Sequence, residues 1–142
     1  MTIENIAVGY DGSPDAEIAV RWALGAASES GATVTIVHAT GLLEHLHQHF
    51  SPDRLPPALL ALVDECGFSP SRLRWLVDNG DACSVLLRAA SPPINAGMLV
   101  VGSRGQGKRV GLLLGSTSLE VVEHATIPVV VVPSSYVEGE TR

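Results

Sequence analysis

Met98-Leu99-Val100-Val101-Gly102-Ser103-Arg104-Gly105, then nine residues, then Gly115-Ser116, is the stretch whose reading decides the fold of this chain. The four apolar residues before Gly102 have the character of a buried strand. Beyond Gly115-Ser116, the residues Leu119, Val122 and Ala125 recur at helical spacing. A buried strand, a glycine-rich loop and a helix start, in that order, make a phosphate site. Glycines let the backbone approach an anion, and the N–H groups of the helix start point at it. Isolated glycine patterns are weak signals, and the competing reading is a connection rich in glycine for turn geometry alone. The strand before it and Gly115-Ser116-Thr117-Ser118 at the helix start favour binding. Ser116 offers an N–H and a hydroxyl to a phosphate, and a plain N-cap role for Ser116, Thr117 or Ser118 is compatible with that.

The rest of the chain repeats the alternation. Residues 6–10 read as a first buried strand, broken by Asp11-Gly12-Ser13-Pro14, with Ser13 as N-cap and Pro14 at the first helical position. Ala16, Ala19, Val20, Ala23, Leu24 and Ala27 follow at helical spacing, and Gly31 closes the helix. Residues 33–38 form a β-branched second strand. Residues 40–57 are irregular, a loop or a short helix with a loop. A helix over 58–66 ends at Gly67, and a third strand is expected over 73–77. Asp81 after Asn79-Gly80 caps a helix through Val85, Leu86 and Ala89 that Pro92-Pro93 stops. Pro128 leads into a last strand, Val129–Val132, and the polar residues 134–142 read as a frayed tail. Strands that alternate with helices and are apolar throughout predict an α/β fold, a parallel sheet covered on both faces.

The bulk numbers restrict function. At 142 residues the chain is expected to be a single domain with a substantial core. A formal charge of -6 argues against non-specific nucleic-acid binding, which needs Lys and Arg to neutralise phosphates. An anion site here must therefore be local, made of backbone N–H groups and a few basic residues. No charged lead with an apolar stretch behind it marks a signal peptide, and no apolar run is long enough for a bilayer. Cys66 and Cys83 fit no metal or redox spacing and are read as reduced thiols, so the expected location is the cytoplasm.

In an open parallel sheet, ligands bind beyond the strand C-termini, where the strand order reverses. If the first and fourth strands are neighbours there, Asp11 faces the glycine-rich loop. Two readings of Asp11 stay open: a contact to ribose hydroxyls or to a phosphate-bound metal, or an Asx-turn ending the strand. Lys108 and Arg109 between the glycines either clamp terminal phosphates or are solvated loop charges. The Gly-x4-Gly-Lys-Ser/Thr pattern is absent, so Lys108 is no P-loop lysine. His45, His47 and His49 alternate, which spreads them over different faces, and a solvated segment is favoured over a metal site. His38 is favoured as a satisfied buried polar group over a catalytic base for Ser13 or Ser116.

The pattern Gly102-x2-Gly105-x9-Gly115-Ser116 resembles the nucleotide motif of the universal stress protein family. The likeness extends over residues 100–105, 112–116, 124–125 and 128–132, and to the opening Val8-Gly9-Tyr10-Asp11-Gly12-Ser13. It is weakest over residues 40–76. The resemblance implies a five-stranded parallel sheet of order 3-2-1-4-5, a Rossmann-like, adenine nucleotide alpha hydrolase-like fold. It also implies ATP, with Mg²⁺, as ligand. Asp11 would lie at the ribose and phosphates, with Gly12 and Arg104 in the same binding set. Ala39 would offer backbone to adenine and Val101 would line the pocket. Gly102 and Gly105 would contact phosphate or ribose, and Gly115, Ser116 and Thr117 would cradle the phosphates. Family dimers pair their last strands, here Val129–Val132; from the residues alone, an internal strand is the competing reading. The chain departs from the family at Ala96-Gly97, where an acidic residue is usual, and in the histidine- and proline-containing segment after Ala39. The expected function is that of an ATP-binding, nucleotide-responsive regulatory or stress-response protein. The alternatives are a slow nucleotide hydrolase or transferase, and a nucleotide-free dimeric interaction module.

Overall fold

The computed structural model describes residues 3–41, 50–104 and 114–137. Strand β1 is Asn5–Gly9 and helix α1 is Pro14–Ser30. Strand β2 is Thr33–Thr40, helix α2 is Pro57–Cys66 and strand β3 is Leu73–Asn79. Helix α3 is Ala82–Arg88, strand β4 is Met98–Gly102, helix α4 is Ser116–His124 and strand β5 is Val129–Val132. A short 3₁₀ turn, Pro70–Arg72, leads into β3. All strand pairs are parallel, and the order is β3-β2-β1-β4-β5. The sheet order that the resemblance implies is the order found.

Local chemistry sets the element ends. The Ser13 hydroxyl accepts the Ala16 N–H at 3.2 Å and starts α1, with Pro14 in the first turn. Gly31, at φ 81, ends it in the left-handed conformation. The Asp81 carboxylate accepts the Ser84 N–H at 3.0 Å and starts α3. Strands β2 and β3 both run two residues past their expected ends at 38 and 77. Thr40 pairs with Asn79 across the ladder, and the two side chains hydrogen-bond at 2.6 Å. A cross-strand pair of this kind stabilises polar residues in a position that composition assigns to a loop.

Each face of the sheet is covered by its own apolar cluster. On one face, α1 and α2 pack with Ile6, Val8, Val34, Ile36 and Val100. On the other, α3 and α4 pack with Ala7, Val37, Leu99 and Val101. Alternate residues of each strand point to opposite faces, so strands buried on both sides are apolar throughout. Helix α1 turns four fully or nearly fully buried alanines, Ala16, Ala19, Ala23 and Ala27, toward the sheet. Small side chains bring its axis close to the strands. At the end of β4 the approach is close enough that a Cβ on Gly102 would lie 2.7 Å from the Asp15 carbonyl oxygen. The residues after β5 depart from the expected frayed tail at its start. The Ser134 hydroxyl donates to Asp15 at 2.7 Å, and Tyr136 packs on the first cluster.

Gly102→Ala drives a methyl group into the backbone of α1, which has no rotamer with which to yield. Overpacking of this kind costs about 1–3 kcal/mol. Urea unfolding should show a lowered midpoint at an unchanged slope. A midpoint equal to that of the wild type would mean that α1 does not sit this close to β4.

Candidate functional site

The C-terminal ends of β2, β1 and β4 lie side by side, in that order, at one edge of the sheet. They carry Ala39, Asp11-Gly12 and Gly102-Ser103-Arg104 respectively. Val8 pairs with Val100, so the chain leaving β1 and the chain leaving β4 are neighbours, as a switch-point site requires.

The Asp11 carboxylate accepts the Ser13 N–H at 2.9 Å, so the Asx-turn reading is realised. Gly12 has φ 85, a left-handed conformation that this tight turn into α1 assigns to glycine. Ala39 is half-buried and pairs with Asp78 of β3. Val101 is buried in the second core cluster. Gly102 carries a packing role as well, since α1 comes to rest against it. Arg104 is half-buried beside an open cleft of about 650 Å³. That cleft is also lined by Leu114, Val131 and Ser134. Gly105, Lys108 and Arg109 lie outside the described residues, as do His45, His47 and His49.

The far end of the glycine-rich loop is brought back to β4. The Gly115 N–H donates to the Ser103 carbonyl at 2.7 Å, and the Ser118 hydroxyl donates to the Gly102 carbonyl at 2.6 Å. These bonds hold the first turn of α4 against the strand end. The N–H groups of Ser116, Thr117 and Ser118 lack intrahelical partners, as at any helix start. Gly115 precedes them as an N-cap without a side-chain acceptor, and no acidic residue lies in the first turn.

Two of the other helices, α1 and α3, start with a side-chain cap of their own. Helix α1 has the Ser13 cap and Asp15 and Glu17 in its first turn. Helix α3 has the Asp81 cap. Helix α2 starts at Pro57, which has no N–H, and its Leu59 and Leu60 N–H groups bond the Pro56 carbonyl. Among the described helices, α2 and α4 start with neither a side-chain cap nor an acid, and of these two α4 is the one held against the end of β4, where an added anion would lie beside the glycine-rich motif.

His38 is the satisfied polar group expected of it. It is 1% exposed, and its Nδ1 lies 2.7 Å from the Tyr10 carbonyl oxygen. A carbonyl only accepts, so Nδ1 carries the proton. The ring packs edge-on to Phe50 and stacks with Trp75. Sequence reasoning missed Asp15, Ser103 and Ser134, which meet beside the cleft. The Ser103 and Ser134 hydroxyls lie 3.3 and 2.7 Å from the same Asp15 oxygen. Asp15 in a first helical turn reads as an ordinary dipole partner, and no local pattern links it to Ser134, 119 residues away.

Residues 2–133 match the sequence profile of the universal stress protein family. The universal stress protein Rv2623 of Mycobacterium tuberculosis is 33% identical over 154 residues, covering 89% of this chain and 46% of the relative. The chain thus spans about half the length of the curated relatives it matches. The crystal structure of a universal stress protein in complex with cAMP superposes with a TM-score of 0.66 at 25% identity, over 95% of this chain and 100% of that one. The universal stress protein from Archaeoglobus fulgidus in complex with dAMP superposes with a TM-score of 0.63 at 20% identity, over 92% of this chain and 98% of that one. The fold is the adenine nucleotide alpha hydrolase-like fold of these proteins. No helix among the described residues is long and apolar enough to cross a membrane.

Tyr10 reports on this edge of the sheet. Burial, and then the negative charges of Glu17 and Asp11, raise its phenol above the ordinary value. An unfolded phenol ionises near pH ~10, whereas the folded one holds its proton to higher pH. Stability should therefore be full below that pH and fall as pH rises through the folded value. Tyr10→Phe should make the urea midpoint flatter than that of the wild type across this alkaline range; parallel profiles would refute the assignment.

Proposed function

This chain belongs to the universal stress protein family, and on that premise we propose that it is an ATP-binding, nucleotide-responsive regulatory protein of the cytoplasm. The observation that carries the reading is the start of α4, uncapped, free of acid in its first turn and held against the end of β4. Backbone donors can bind a polyanion whatever the net charge of the chain, which here is -6. The cAMP and dAMP complexes of structural neighbours support an adenine nucleotide as the class of ligand.

In this reading Ser116 and Thr117 hold the phosphates from the start of α4, with Arg104 at the exit of β4 and Gly105 in the same binding set. Gly115 spaces them; its own N–H is already given to Ser103. Asp11-Gly12 lies toward the ribose, and Asp11 keeps one oxygen on the Ser13 N–H while facing the ligand. Ala39 and Val101 border the adenine end, and Gly102 lets the chain pass close to the ligand. Mg²⁺ binds through the phosphates with Asp11 nearby, since this ion keeps most of its waters and needs few protein ligands. ATP acts as a ligand that selects the ordered arrangement of the loop and thereby a surface for partners.

The sheet edge supports a homodimer through Val129–Val132. Strand β5 is the outer strand, so the internal-strand reading does not hold. The Pro128 and Val132 carbonyls accept from Leu99 of β4 and from Ser103, the residue after it. Alternation along the strand then turns the Val129 and Val131 N–H groups outward. An apolar outer strand is an aggregation hazard unless covered, and a second copy across a two-fold covers it.

Calorimetric titration of Mg²⁺-ATP into nucleotide-stripped protein should show one site per chain. Gly115→Val, compatible with φ -68 at that position, should abolish it without unfolding the chain. Absence of binding to folded wild type would overturn the nucleotide reading. For the dimer, Val131→Pro removes an outward N–H and spares the β4 ladder. Light scattering should find the wild type at twice the mass of a chain and the variant at one; equal masses would reject this edge as the interface.

A further inference from the structure

The glycine-rich loop leaves β4 through Ser103, which is held from three directions. Its N–H donates to the Val132 carbonyl at 3.0 Å, and its carbonyl accepts the Gly115 N–H at 2.7 Å. Its hydroxyl donates to Asp15 Oδ2 at 3.3 Å. The same oxygen accepts the Ser134 hydroxyl at 2.7 Å, and the two hydroxyls lie 3.1 Å apart. One carboxylate thus joins the start of α1, the exit of β4 and the stretch after β5.

Burying a carboxylate is costly unless donors surround it. Asp15 is 2% exposed. Its place in the first turn of α1 favours negative charge, and hydroxyl donors to an ionised acceptor are among the stronger hydrogen bonds. Ser134 is itself exposed but turns its hydroxyl inward to this oxygen. The stretch that carries it closes as a turn, with the Tyr136 N–H on the Pro133 carbonyl at 3.0 Å and the Tyr136 ring on the first core cluster. Ser134 and Ser103 also line the same cleft. A change at Ser134 therefore reaches Ser103, and through the Ser103 carbonyl it reaches Gly115 and the start of α4.

We propose that Asp15 is a positioning residue that couples the stretch after β5, through Ser134, to the phosphate end of the glycine-rich loop. The nucleotide part of this inference rests on the ATP reading above. The coupling between Ser134, Asp15 and Ser103 does not. A partner that pulls residues 133–136 away from Asp15 would loosen the loop exit and release nucleotide. By reciprocity, bound nucleotide would hold that stretch down.

The test uses Ser134→Ala, outside the proposed binding set, with Ser134→Thr as the variant that keeps the hydroxyl. Without nucleotide, amide hydrogen exchange at Ser103 and Gly115 should quicken about tenfold in Ser134→Ala, matching one lost charge-assisted hydrogen bond. The amides of Ile36 and Leu76 in the far strands should not change. Mg²⁺-ATP should bind about tenfold more weakly, while adenosine, which lacks phosphates, should bind as before. Ser134→Thr should restore both. Unchanged exchange at Ser103 and Gly115 would overturn the coupling. So would faster exchange at all sites, or equal losses for ATP and adenosine, because these would mark a general loss of stability. If wild type binds no nucleotide, the ATP reading fails by itself, and the exchange measurements alone decide the coupling.

Discussion

The approach of α1 to the end of β4 is the constraint on which the site depends. The Asp15 carbonyl sits where any side chain at position 102 would begin. Two features of the sequence make that approach available: a helix face built of alanine and a strand that ends in glycine. Neither suffices alone. Larger residues on α1 would lift the helix away, and a Cβ on residue 102 would hold it off at the end that matters. Because the contact lies in the first turn of α1, it also sets the Asp11-Gly12-Ser13 turn beside the exit of β4. The two halves of the candidate site are thus positioned by packing, with the Ser103 hydroxyl on the Asp15 carboxylate as a hydrogen bond between them.

Glycine therefore does different work at different positions of one motif. At 102 the absence of a side chain serves helix packing. At 115 the conformation, φ -68 and ψ 161, is open to other residues, so glycine is not needed there for the backbone. What glycine spares at 115 is volume in front of the α4 N–H groups, together with a side-chain cap that would compete for them. An N-cap of Ser, Thr, Asp or Asn stabilises a helix by about 0.5–2 kcal/mol relative to alanine. A helix start that forgoes that gain while α1 and α3 take it is better suited to an external acceptor than to an internal one.

Much of this was legible from residue order. The strand cores, the Ser13 and Asp81 caps and the Gly31 stop rest on short-range rules, and the structure realises each of them. The sheet order came from family resemblance and is the order found. Long-range pairing was not legible. The extra residues of β2 and β3 owe their place to Thr40 and Asn79, which are polar and far apart in sequence. The same holds for Ser134, which reads as tail and in the fold reaches a buried carboxylate. Asp11 shows a different limit: sequence left open a turn and a ligand contact, and the structure forms the turn on a strand that neighbours β4.

The distribution of acid explains how a chain of net charge -6 can hold a polyanion. Carboxylates gather at the start of α1, where Asp15 and Glu17 answer the helix dipole, and Asp81 caps α3. Asp81 accepts a backbone N–H of its own helix, and the Asp15 carboxylate is turned to the Ser103 and Ser134 hydroxyls. Helix α4 carries no acid in its first turn, and Glu120 follows only after it. A phosphate approaching this end of the sheet thus meets acids placed at the starts of α1 and α3 and, at the end of β4, a helix start that carries neither an acid nor a side-chain cap. The Asp15 carboxylate, faced with two hydroxyls, contributes less repulsion than its charge alone would imply. Specificity for an anion then comes from where the protein places its negative charge, with the few basic residues near the loop acting as a supplement.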